Sequence, residues 1–146
     1  MEFLLIGDSI EKFKSYFSFA IVRNPWDWQV SLYTYALRNE KHGQHKMTNE
    51  FGGFDNYIEW RCDGEATNQK DFIYTEEGTQ LVDYIGRFEA LDRDFETICS
   101  KIGVTANLPK INVYKEKEYK EYYNKHTMEL VRKTFESDIH LFNYDF

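Results

Sequence analysis

Arg23 and Ser31 are the residues whose types and spacing best fit a chemical task in this chain. An arginine keeps its charge at every relevant pH, and its planar fork donates two parallel hydrogen bonds to a phosphate. Ser31 follows after Asn24-Pro25-Trp26-Asp27-Trp28-Gln29-Val30, a run that reads as a helix starting at Asn24. At about 1.5 Å per residue, Ser31 then lies roughly 10 Å along from the cap, so a long arginine and a serine hydroxyl can meet around one anion. The same helix start is expected to aim free backbone N–H groups and a positive dipole end into that space. The chemistry implied is the binding of a phosphate group.

The elements that position these residues are legible in part. Phe17-Ser18-Phe19-Ala20-Ile21-Val22 is short, apolar and β-prone, as expected of a buried strand in a sheet covered on both faces. It delivers Arg23 to its C-terminal end, where open α/β sheets bind ligands. Asn24 suits the N-cap, Pro25 the first helical position and Asp27 the third, where a carboxylate complements the dipole. Trp26, Val30, Tyr33 and Leu37 recur at helical spacing, which carries the helix to about Arg38. Residues 39–56 are polar, with Gly43, Gly52 and Gly53, and read as a long loop. Tyr57 to Trp60 opens a short helix. Leu81 to Gly86 reads as a second strand, and Leu91, Phe95, Ile98 and Ile102 form the stripe of a following helix stopped by Gly103. Cys99, beside that stripe, reads as a small core residue. Asn107 to Lys120 is irregular and lysine-rich, and a last helix from near Thr127 buries Met128, Val131, Phe135 and Ile139. Strand, helix, strand, helix in that order implies an α/β domain with a parallel sheet.

Composition bounds the function. A chain of 146 residues fits one domain. Its 25 acidic against 18 basic residues give a net charge of −7, which argues against a sequence-independent nucleic-acid binder. A local pocket can still be positive within an acidic whole. Aromatic residues make up 18% of the chain, with Trp26, Trp28 and Trp60 open to ring stacking on a ligand but better suited to core packing. Cys62 and Cys99 are too few for a disulfide framework and too far apart for a metal motif, which fits a reducing compartment. The opening Met1 to Asp8 has no basic start and only four consecutive apolar residues, so it does not read as a signal peptide. No apolar run reaches the roughly 20 residues of a membrane span. A cytoplasmic location is the expectation.

Arg23-Asn24-Pro25-Trp26-Asp27 with Ser31 resembles the 3′-phosphate-binding motif of sulfotransferases that use 3′-phosphoadenosine 5′-phosphosulfate (PAPS). Val82-Asp83-Tyr84-Ile85-Gly86-Arg87-Phe88-Glu89-Ala90-Leu91, followed by Asp94-Phe95, resembles a recurring segment of the carbohydrate branch of that family. The tail, with Tyr119, Tyr122-Tyr123, Asp138-Ile139 and Phe142 to Phe146, is similar to the same branch's C-terminal end. The resemblance covers roughly residues 17–146. It implies a P-loop-like three-layer α/β domain that transfers a sulfuryl group from PAPS to a hydroxyl, on a carbohydrate or related acceptor, without a metal. It implies that Arg23 and Ser31 hold the 3′-phosphate and that Arg87, at a second strand end, lies beside the cofactor. Lys115, Lys117 and Tyr119 lie where relatives place a cofactor-covering loop, with Tyr114 where a small hydroxyl residue is expected. Trp28 stands where relatives often carry an arginine, which leaves one cation fewer for the phosphate.

Sulfotransferases of this kind begin with a strand and a Gly- and Lys-bearing loop that cradles the 5′-phosphosulfate. No such loop is visible before Phe17, where Gly7 is the lone glycine. The acids there, Glu2, Asp8 and Glu11, carry no motif for the catalytic base. The domain is therefore expected to be N-terminally truncated and incomplete or inactive as this chain alone, and the strand edge exposed by the missing strand favours pairing with a second copy. A non-catalytic nucleotide- or glycan-binding module completed by another chain is the competing reading, and a nucleotide kinase relative a third. Bland alternatives accompany each residue. Arg87 can pair with Glu89 or Asp92, and Lys115 and Lys117 sit among Glu116 and Glu118 as in a solvated charge run. His42 and His45 belong to a polar loop with Lys41 and Lys46, from which they can face an acceptor or simply solvent. His126 and His140 show no metal spacing.

Overall fold

The computed structural model describes residues 13–109 and 117–146, apart from the side chain of Glu65. Residues 110–116, with Tyr114 and Lys115, and the acids upstream of Phe13 lie outside the described residues. The chain forms two compact units, one from Ile73–Pro109 with the segment up to Val22, the other from Arg23–Phe72 with Lys110–Phe146. No helix among the described residues is long and apolar enough to cross a membrane.

The first unit is built on two parallel strands, β1 (Phe19–Val22) and β2 (Tyr84–Arg87), in the register Phe19↔Tyr84, Ala20↔Ile85, Ile21↔Gly86, Val22↔Arg87. The parallel pairing is the expected one, but both strands are shifted. β1 begins two residues late because Ser18 is held at its mouth: its N–H and hydroxyl both donate to Asp83 Oδ2, at 2.8 and 2.9 Å. β2 begins three residues late because Leu81 donates its N–H to Ile73 O at 2.8 Å, in a turn closed by the antiparallel bridge Tyr74↔Gln80. Among the described residues β1 pairs with β2 alone, and its cover is partial: Val22 is buried, Ala20 and Ile21 are half-buried and Phe19 is exposed.

Helix α4 (Leu91–Ile102) follows β2 through a 3-10 turn and ends at Gly103, whose φ of 72° lies in the left-handed region that favours glycine. The stripe holds for Ile98, and Cys99 is buried as expected, whereas Ile102 is exposed. Its place on the buried face goes to Asp94, 3% exposed, whose Oδ2 accepts the Arg87 N–H at 2.6 Å and whose Oδ1 takes Arg93 at 2.9 Å. Helix and strand approach so closely that a Cβ on Gly86 would lie 2.7 Å from Ile21 Cδ1 and 3.1 Å from Asp94 Cβ, which is why glycine stands there. The Arg87 N–H, with help from Arg93, holds the Asp94 carboxyl below its ordinary value against the opposing effect of burial. A carboxyl depressed on folding stabilises above its unfolded pKa of about 4, and that contribution is lost as pH falls through the folded value. Asp94→Asn is therefore expected to flatten the loss of thermal stability between neutral pH and pH 2. Melting curves across that range check it, and an unchanged slope would contradict it.

The second unit is helical and aromatic. Helix α1 (Pro25–Arg38) has the expected bounds and presents Trp26, Val30 and Tyr33 to a core completed by Phe54, Tyr57 and Ile58 and by Val131, Phe135 and Ile139. The polar stretch read as a loop contains helix α2 (His45–Glu50), and helix α3 (Phe54–Trp60) starts earlier than its apolar signal. α2 buries only Thr48, so it has no apolar stripe for a periodicity to reveal. The last helix is two, α5 (Lys125–Thr134) and α6 (Glu136–Leu141), kinked at Phe135, which leaves helical geometry at φ −107°, ψ 24°. Hydrogen bonds cross the kink, from Phe135 N to Val131 O and from Ile139 N to Phe135 O, each 3.0 Å. Edge-to-face contacts such as Phe54 on Tyr123 (4.9 Å), Tyr33 (5.2 Å) and Tyr122 (5.4 Å) absorb much of the aromatic content.

Candidate functional site

Arg23 stands one residue before the cap of α1, and its backbone is pinned from both sides by one side chain. Gln69 Oε1 accepts the Arg23 N–H at 2.9 Å, and Gln69 Nε2 donates to the Arg23 carbonyl at 2.8 Å. Gln69 opens a 3-10 turn (Gln69–Phe72) whose own first N–H groups need acceptors. Asp138 of α6 supplies them: Gln69 N donates to Oδ2 at 2.7 Å and Lys70 N to Oδ1 at 2.9 Å. Asp138 is fully buried. Burial pushes its carboxyl above the ordinary value, and the Lys70 and Gln69 N–H groups offset part of that rise.

The α1 terminus differs from expectation in one respect. Asn24 is the cap, as predicted, and its Oδ1 accepts from Trp26 N at 3.0 Å and Asp27 N at 3.4 Å. Pro25 has no N–H, and Trp28 N donates to Asn24 O at 2.8 Å. The first-turn amides are thus taken, not free for an anion. An anion at this end would meet side chains rather than backbone amides.

Arg23 Nε donates to Asp27 Oδ2 at 2.7 Å, with the two side chains 21% and 23% exposed. Asp27 fixes the guanidinium and offsets part of its charge. Ser31 is half-buried and four residues beyond Asp27, so it shares that side of the helix with Cβ atoms about 5–6 Å apart. Arg23, Asp27 and Ser31 therefore line one side of the first two turns of α1. The guanidinium fixed by Asp27 and a hydroxyl one helical turn beyond Asp27 are the donors this side can offer a phosphate-sized anion.

Arg87 ends β2 in register with Val22, with its N–H on Asp94. Lys117 is exposed, donates to Glu121 O at 3.3 Å and sits 4.1 Å from the centre of the Tyr122 ring. It lines a groove of about 520 Å³ with Tyr33, Thr34, Leu37, Arg38 and Tyr122, along the second half of α1. Tyr119 packs edge-on against Phe146, centroids 5.8 Å apart. Trp26 is fully buried, with Nε1 donating to Met128 O at 3.0 Å, and Trp28 and Trp60 pack against the core. His45 Nδ1 donates to Ala36 O at 2.9 Å, His42 packs on Tyr35 at 5.4 Å, and His126 pairs with Glu59 at 3.4 Å. Among the described residues no cluster of His, Cys, Asp and Glu could hold a metal ion.

Gln69 and Asp138 were missed by sequence reasoning as positioning residues. Asp138 left a trace: Thr127, Val131, Phe135, Asp138 and Phe142 recur at helical spacing, which puts a carboxylate on a buried stripe where it needs donors. Gln69 left none, since a lone glutamine in a polar stretch has no pattern.

With this geometry in place, comparison with known proteins is specific at the level of family. The model of the sulfotransferase family matches residues 7–145. Comparison with curated proteins and with solved structures gives no significant match.

Proposed function

Because this chain belongs to the sulfotransferase family, we propose that its helical unit anchors PAPS by the 3′-phosphate, between Arg23 and Ser31. The carrying observation is the row formed by Arg23, Asp27 and Ser31 on one side of α1, with the Arg23 backbone clamped by Gln69. The reaction proposed is sulfuryl transfer from PAPS to a hydroxyl of a carbohydrate acceptor. The donor set fits the nucleotide's 3′ end: Arg23 gives a fixed cation and Ser31 a neutral donor.

Calorimetry with adenosine 3′,5′-bisphosphate against adenosine 5′-phosphate tests the anchor. Loss of a hydrogen bond to a charged group costs about 1.5–3 kcal/mol, so Arg23→Ala should weaken the bisphosphate by roughly 10–100-fold. The 5′-phosphate should be unaffected, and Ser31→Ala should cost less than Arg23→Ala. Equal affinity for the two nucleotides in the unaltered chain would sink the reading. A sulfuryl-transfer assay on this chain and on an N-terminally extended form then separates a binding module from a complete enzyme; transfer by this chain unaided would overturn the expected inactivity.

A further inference from the structure

Helix α6 ends in a turn that sends the chain back toward the start of α1. Asn143 takes a φ of 51°, a left-handed conformation that asparagine tolerates. The turn closes with Asn143 N on His140 O at 3.3 Å and Tyr144 N on Ile139 O at 2.9 Å, which satisfies the last carbonyls of the helix. Phe142, just before it, is buried. An exit fixed in this way brings Asp145 and Phe146 to the cap beside Arg23.

Two sets of contacts receive them there. The Asp145 carbonyl accepts Asn24 Nδ2 at 2.8 Å. That bond decides which way the Asn24 amide faces, because it leaves Oδ1 for the Trp26 and Asp27 amides at 3.0 and 3.4 Å. An amide turned the other way would set N–H against N–H at the helix start and C=O against C=O at Asp145. Phe146 is gripped edge-on by three rings, Trp26 and Tyr123 at 5.6 Å and Tyr119 at 5.8 Å. Lys120 Nζ donates to Phe146 O at 2.8 Å and lies 5.2 Å from the centre of its ring. Tyr123 in turn donates its hydroxyl to Trp26 O at 2.9 Å. Asp145-Phe146 thus joins the start of α1 to the segment 119–123.

The join reaches Arg23 through two neighbours. Asn24 follows it directly in the chain, and Asp27, whose amide Asn24 holds, carries the carboxylate that fixes the Arg23 guanidinium at 2.7 Å. Gln69 pins the Arg23 backbone, so the latch is left to set the carboxylate that its side chain meets. We propose that Asp145-Phe146 is a latch that positions the 3′-phosphate anchor, acting on Arg23 through Asn24 and Asp27. Phe146 and Asn24 are positioning residues in this scheme, not ligands of the phosphate. The inference rests on the PAPS reading for its ligand, while the latch itself is a property of the chain alone.

The test uses the full chain with Phe146→Ala, Phe146→Tyr, Asn24→Ser, and Phe146→Ala combined with Asn24→Ser. Serine caps a helix about as well as asparagine but has no N–H to give Asp145. Calorimetry well below each melting temperature gives the preference for adenosine 3′,5′-bisphosphate over adenosine 5′-phosphate. Phe146→Ala and Asn24→Ser should each lower that preference about 3–10-fold with 5′-phosphate affinity unchanged, and Phe146→Tyr should keep it. Because both act through one latch, the double variant should lose little more than either alone, where independent sites would multiply. Amide exchange supplies a readout that needs no ligand. Phe146→Ala should speed exchange at Trp26 and Asp27 and also at Glu121 and Tyr123, while amides in the middle of α5 change less. A purely structural role would speed all of them alike, and that result would overturn the latch. So would a preference kept in folded Phe146→Ala, or full multiplication in the double variant. Faster exchange at both segments, in a chain without any bisphosphate preference, would support the latch and defeat the PAPS anchor instead.

Discussion

Trp26→Ala is expected to destabilise the helical unit by about 3–5 kcal/mol, the range for removing a large buried aromatic side chain. The residue is fully buried and sits in the first turn of α1, two residues after the cap. Its indole N–H donates to Met128 O of α5 at 3.0 Å, its ring meets Phe146 edge-on at 5.6 Å, and Arg132 lies 5.6 Å above it. The Trp26 carbonyl also accepts the Tyr123 hydroxyl at 2.9 Å. Truncation would thus open a cavity where α1, α5 and the C-terminal residues meet, and would remove the indole hydrogen bond to the Met128 carbonyl. Trp26→Phe keeps most of the volume and loses the N–H, so it should cost roughly 1–2 kcal/mol. Urea unfolding of the three proteins checks the order. A loss under 1 kcal/mol for the alanine variant would show that this side chain does not anchor the core.

The same residue shows what was readable beforehand. Asn24-Pro25 with Asp27 defined the start of α1 because capping and proline geometry act within a few residues, and the spacing of Trp26, Val30 and Tyr33 defined its inner face. The parallel pairing of β1 and β2 followed from element order. What failed was set by partners distant in sequence. Ser18 and Asp83 are 65 residues apart, and their bonds decide where β1 begins. α2 carries no apolar stripe, and Asn24 satisfies first-turn amides that composition alone left open to a ligand. In the candidate site, Arg23 and Ser31 were visible because they share a local motif. Gln69, 46 residues from Arg23, was not, although it fixes the Arg23 backbone.

Asp138→Ala is expected to act on that backbone from a distance. The substitution leaves the Gln69 and Lys70 N–H groups without their acceptors at 2.7 and 2.9 Å, inside a region where Asp138 itself is fully buried. Each unsatisfied donor costs about 1–3 kcal/mol, partly offset because an ionised carboxylate no longer has to be kept out of water, so a net loss of roughly 2–4 kcal/mol follows. The sign of the pH dependence separates this contribution from that of Asp94. Asp138 is raised by burial, so its ionisation opposes folding: the stability linked to its protonation is present below the unfolded value and is lost as pH rises through the folded one. Asp138→Asn is the informative companion. Its carbonyl oxygen can accept one of the two backbone N–H groups, but its amide nitrogen would face the other as donor against donor. It should therefore recover only part of the loss, and its melting temperature should lack the Asp138 pH dependence. Because Gln69 stands between Asp138 and Arg23, bisphosphate affinity measured well below each variant's melting temperature should fall in both, more in Ala than in Asn. Affinity equal to that of the unaltered chain in a folded Asp138→Ala protein would show that the clamp on Arg23 does not depend on this carboxylate.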